Sequence, residues 1–162
     1  MIAQKDFDRL APLAAQWAKC QEAYILEHGV PLTAEQTADA RRAGVKEPAR
    51  VRVLVADRIP MPEDRELAEA ARGAQIITDS SRGVAIGHAI MIRADSWRNR
   101  ELLLHQLVHV AQCERSGGLQ KFVIEYLLDR RCSRDFSLGS LEDEARSKAR
   151  EMCAEAQPVA AR

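Results

Sequence analysis

In the segment LLLHQLVHVAQ, residues 102–112, His105 and His109 lie four positions apart in an aliphatic run. On a helix that spacing stacks two imidazoles on one face, about one turn apart. A metal ion can take one nitrogen from each ring, and zinc suits imidazole ligands in a tetrahedral shell. Leu102, Leu103, Leu104, Leu107, Val108 and Val110 predict that the helix is largely buried. Buried polar rings need partners, and a metal supplies one to both. The pair is still only half a site. A third ligand has to come from elsewhere, leaving a fourth position for water. Cys113 also follows His109 by four positions. However, residues 105 to 113 span about 12 Å along a helix axis at ~1.5 Å per residue, too far for one ion to join both ends.

This segment resembles the active-site helix of zinc-dependent metallopeptidases, whose motif is H-E-x-x-H. In that family the two histidines bind zinc and the intervening glutamate is the general base toward the zinc-bound water. The resemblance implies a zincin-like domain of the gluzincin type, in which the third ligand is a glutamate on a later helix, often followed by alanine. The segment SLEDEA at 140–145 is a helix start of that kind. Glu144, followed by Ala145, matches the pattern and is the expected third ligand, with Glu142 the close alternative. An edge strand above the cleft, able to pair with an extended peptide, is also implied, and residues 84–93 stand in that position. The resemblance covers roughly residues 84–150.

One position departs from the motif: the place of the catalytic glutamate is held by Gln106. A neutral amide can hydrogen-bond a water but cannot take its proton. Loss of the base removes on the order of 10²–10⁴-fold of rate. The resemblance therefore implies a zinc metallopeptidase acting on a peptide or protein substrate and inactive as written, through a substitution either introduced or natural. The alternative is a natural pseudoenzyme that keeps zinc and cleft to bind a peptide or protein partner.

The elements that must position these residues are legible from periodicity. A helix is predicted over residues 3–27, with Pro12 able to kink or split it, and Gly29 as a left-handed stop. Thr33 caps a second helix over 34–43, and 45–49 is a connector. Val51, Val53 and Val55 alternate with Arg52 and Leu54 as a strand. Pro62 suits the start of a helix over 63–72. A short strand is expected at 75–78 and the clearest one at 84–93. Asp95 or Ser96 caps the metal-site helix, about 97–115. Another helix covers 119–130, a polar loop 131–139, and a helix capped by Ser140 runs to about 155. Residues 156–162 read as a frayed tail. The expected fold class is α+β: a single helix-rich domain over 1–162. Residues 1–45 form a helical N-terminal segment, and 50–155 carry a small sheet packed on the active-site helix and the glutamate-bearing helix.

Composition narrows the classes. Of 162 residues, 24 are Lys or Arg and 24 are Asp or Glu. That balance lacks the basic excess of a nucleic-acid binder. No apolar run approaches the ~18 residues of a membrane-spanning helix, and the acid-bearing N-terminus is not a secretory signal, so a cytoplasmic location is expected. Cys20, Cys113, Cys132 and Cys153 form no C-x-x-C pair and are expected to be free thiols. His88, among branched apolar residues, reads as a core histidine with one satisfied nitrogen. Tyr126 reads as packing, and His28 as a cation at a helix end.

Overall fold

The valine alternation does form a strand, and the sheet grows around it. The structure is a computed structural model that describes residues 4–132 and 139–155. Most of the loop expected at 131–139 and all of the tail expected at 156–162 lie outside the described residues. The fold is α+β. Four strands, β1 (Val30–Pro31), β2 (Arg52–Ala56), β3 (Gly83–Ile86) and β4 (Ala89–Arg93), stand in the order β1-β2-β4-β3. β2 and β4 run parallel, and β1 and β3 are antiparallel to their neighbours. The helices are α1 (Gln4–His28), α2 (Ala34–Ala43), α3 (Arg65–Gly73), α4 (Arg100–Ser116), α5 (Leu119–Cys132) and α6 (Ser140–Glu155).

The expected strand over 84–93 is two strands. The chain reverses at Gly87-His88, so that Val84 faces Met91 and Ile86 faces Ala89 across a hairpin. Gly87 has φ +63°, the left-handed conformation that a glycine accepts at the first position of a two-residue hairpin turn. A side chain there would also collide with the Glu22 carboxylate. The alternation misleads because both arms keep the same period-2 pattern across the turn. Residues 75–78, expected as a strand, are instead an irregular reversal after α3, with Gln75 at φ +54°. Ile77 is buried in the apolar cluster with Ile25, Ile59 and Met91. β1 was not expected, because two residues carry no periodicity.

Helix boundaries follow their caps. Thr33 and Gln36 form a reciprocal capping box on α2, which ends at left-handed Gly44. Pro62 precedes α3, but the cap is Asp64, whose carboxylate accepts from the Leu67 N–H at 2.8 Å. Neither Asp95 nor Ser96 caps α4. Residues Ala94–Ser96 make a 3-10 turn, and Asn99 accepts from Leu102 at 3.0 Å. α1 runs unbroken through Pro12. Gly29 ends it for want of space rather than for a left-handed φ: a Cβ there would lie 2.6 Å from the Ile25 carbonyl oxygen.

The main core lies between the sheet and α2, α4 and α6, with Val53, Ile90, Ile92, Leu104, Leu107 and Val108 fully buried. α4 packs against α6 and β3, and α1 against α5. α4 is thus held between a strand on one side and a second helix on the other, which brings its histidine face against the start of α6.

Candidate metal centre

α4 is buried along most of its length, so its two histidines open on the one side where α5 and α6 meet it. The ring nitrogens His105 Nε2 and His109 Nε2 stand 3.0 Å apart. Glu142, in the first turn of α6, completes the group, with Oε1 3.0 Å from His109 Nε2 and Oε2 3.4 Å from His105 Nε2. Donor atoms on a tetrahedral zinc with ~2.0–2.1 Å bonds lie roughly 3.3 Å apart, so the spacing of these three fits an ion of that kind. Among the described residues this is the group of histidine and carboxylate side chains that can converge on one cation.

Glu144, the expected third ligand, is elsewhere. Its carboxylate is paired with Arg115, 2.8 Å to Nη1 and 2.7 Å to Nη2, and lies 3.0 Å from Gln112 Nε2. The Arg115 guanidinium draws the Glu144 carboxyl down to about 2. The structure therefore brings together His105, His109 and Glu142, while Glu144 supports the site from behind.

The chemistry of the donor set is fixed by that support. Gln112 is fully buried, and its amide nitrogen donates to the Leu141 carbonyl at 2.8 Å as well as to Glu144. Its oxygen is then the atom facing His109 Nδ1, at 2.8 Å, so Nδ1 carries the hydrogen. In neutral His109 the lone pair is consequently on Nε2, aimed at His105 and Glu142. Two imidazole nitrogens and a carboxylate oxygen at 3.0–3.4 Å need a hydrogen among them, on His105 Nε2 or on a protonated ring, or else a metal ion. A histidine whose second nitrogen is held by a buried acceptor is the arrangement metal ligands use.

Tyr126, expected as packing, is part of the site. Its hydroxyl donates to Glu142 Oε1 at 2.6 Å, and its ring meets the His109 ring edge-on at 5.9 Å. Burial and the neighbouring carboxylate push the phenol up, so it stays a donor. Burial also acts to raise the Glu142 carboxyl. With the imidazoles protonated, hydrogen bonds from His105 and His109, the charge on His109 and the Tyr126 hydroxyl outweigh it and hold Glu142 well below the usual carboxylate range. Nothing in the spacing of α5 marks Tyr126. Its role depends on how two helices cross.

Gln106 is 4% exposed, and among the described residues its amide has no hydrogen-bond partner. It lies against β3, where a Cβ on Gly83 would sit 3.3 Å from its Nε2. Both Gln106 and Glu142 line a cavity of about 250 Å³. Apart from Gln75 and Arg130, its other walls are largely apolar, with Phe7, Leu10 and Trp17 from α1, Leu67 from α3, the strand β3, and Phe122 from α5. The N-terminal helix thus forms one side of the chamber beside the centre.

The remaining candidates have structural partners. His88 is buried with Nε2 2.9 Å from Glu114 Oε1, and its backbone N–H donates to Glu22. Cys113 is buried against Phe122 and Leu141, away from the histidine cluster, and all four cysteines are free. His28 Nδ1 meets the Tyr24 carbonyl. No described helix is long and apolar enough to cross a membrane. No family model, curated protein or solved structure matches the chain.

Proposed function

We propose that this chain is a zinc-binding domain of the metallopeptidase type, with His105, His109 and Glu142 as ligands, in which Gln106 silences hydrolysis while the cleft still accepts a peptide. The observation that supports this reading most is the hydrogen-bond chain Arg115–Glu144–Gln112–His109. It presents the His109 lone pair to His105 and Glu142, so that three donor atoms can converge on one cation. A bound zinc supplies a Lewis acid and an activated water. The chain's own groups do the rest. Gln112 holds the His109 tautomer, and Tyr126 holds one Glu142 oxygen so that the other turns toward His105. Gln106 occupies the general-base position, where its amide can orient a water or a carbonyl but not accept a proton. The largely apolar lining of the adjoining cavity suits an apolar group of the peptide.

The test is a zinc assay joined to a peptidase assay on the chain and on Gln106→Glu. One equivalent of zinc is expected in both, with hydrolysis faster by about 10²–10⁴-fold in the variant. Zinc far below one equivalent, with no gain on adding the metal, ends the metal reading. One equivalent of zinc without hydrolysis in Gln106→Glu assigns the centre to binding alone. That outcome is the pseudoenzyme reading.

A further inference from the structure

The cavity and the glutamine belong together. A general-base glutamate at position 106 would place a second carboxylate beside Glu142 and repel any anion entering from the cavity. With Gln106 that charge is absent, and an amide that makes no hydrogen bond among the described residues faces the cavity at the wall it shares with His109 and Glu142. A dication held by two neutral imidazoles and one carboxylate keeps one positive charge uncompensated, and a buried charge needs a counter-charge. Apart from Gln75 and Arg130, the remaining wall is aliphatic and aromatic. Arg130, the other charged group there, donates to the Ala74 carbonyl.

Resting on the zinc reading above, we infer that the centre is a receptor for a carboxylate carried on an apolar chain. One carboxylate oxygen would meet the metal, the other would accept from Gln106 Nε2, and the chain would fill the cavity between α1, α3 and β3. A free aliphatic acid and a peptide ending in an apolar residue share this chemistry.

The test uses the whole chain loaded with zinc, its metal content measured first, and titration calorimetry with four probes: octanoate, octanamide, acetate and the dipeptide acid acetyl-Ala-Leu. Octanoate is expected to bind at least tenfold more tightly than acetate, because only octanoate has a chain to bury, and at least tenfold more tightly than octanamide, because only the acid is charged. Acetyl-Ala-Leu binding more tightly than octanoate assigns the natural ligand to a peptide terminus, and the reverse to a free acid. Gln106→Glu is expected to weaken the preferred acid at least tenfold while zinc stays at one equivalent. Ala14→Phe, which fills the cavity from α1, is expected to erase the advantage of octanoate over acetate, again with zinc retained. One equivalent of zinc with octanoate no tighter than acetate overturns this inference and leaves the metal reading standing. So does an acid affinity that Gln106→Glu leaves unchanged. Absence of zinc overturns both.

Discussion

Glu142 and Glu144 are two positions apart on α6, about 200° around the helix at ~3.6 residues per turn. They therefore face opposite ways, one into the histidine pair and the other to Arg115. Zinc affinity should separate them. Glu142→Ala removes a donor and is expected to abolish stoichiometric zinc at micromolar metal. Glu144→Ala loosens only the Gln112 support, and Tyr126→Phe only the Glu142 support. Each of these is expected to weaken zinc by about 10–100-fold, the usual cost of an outer hydrogen bond. Competition against a chromogenic chelator reads all three. The His105–His109 pair was legible because four residues along one helix is a local relation. The choice between two nearby glutamates was not, because it depends on which face of α6 meets α4, and the Glu-Ala pattern carries no information about that rotation.

At the scale of elements, the start of α6 is set by its neighbour. Asp129, near the end of α5, accepts from the Ser140 N–H and hydroxyl through Oδ1 and from the Leu141 N–H through Oδ2. It does from a distance what an N-cap side chain does locally, and it fixes the turn that carries Glu142. Asp129→Ala is expected to destabilise the protein by about 0.5–2 kcal/mol, read by urea unfolding, and to weaken zinc as well. The sequence suggested Ser140 as the cap. A cap supplied from another helix has no local signature, just as the hairpin at Gly87-His88 hid within a continuous alternation.

A second link between elements is titratable. Glu114 on α4 accepts from the backbone N–H groups of Lys46 and Glu47, at 2.6 and 3.1 Å, and from His88. Burial works to raise its carboxyl, but these hydrogen bonds and the His88 charge prevail and lower it. A carboxyl whose folded pKa is depressed adds stability that is present above its unfolded value, ~4.3. The contribution is lost as pH falls through the folded value. The difference in urea midpoint between the chain and Glu114→Gln should therefore be largest near pH 7 and shrink below pH ~4.3. A difference that stays constant down to pH 3 would show that charge plays no part in this link.

Over the whole molecule, the α+β class and most helices followed from periodicity and caps, whereas the chamber did not. Its walls come from α1, α3, β3 and α5, and no local pattern distinguishes Leu10, which borders the cavity, from Leu104, which is fully buried in the main core. Mutation should make the distinction. Leu104→Ala opens a void in a filled core and is expected to cost about 2–5 kcal/mol. Leu10→Ala only enlarges space already present, and is expected to cost less than half as much by the same denaturation assay.

The Glu22 carboxylate on α1 that receives the His88 N–H bears on the order in which the molecule is made. α1 precedes every surface it packs against, since the hairpin begins at Gly83 and α5 at Leu119. During synthesis the part of α1 that meets α5 stays uncovered until the chain has lengthened by roughly a hundred residues at ~5–20 residues per second, although β2 and the hairpin can reach α1 sooner. The sheet, α2 and α4 can condense meanwhile around their own core. Docking of α1 then closes the longest loops, which places it late on the folding route. Until that moment the chamber is an open face beside His105, His109 and Glu142, and α1 is the segment that seals it.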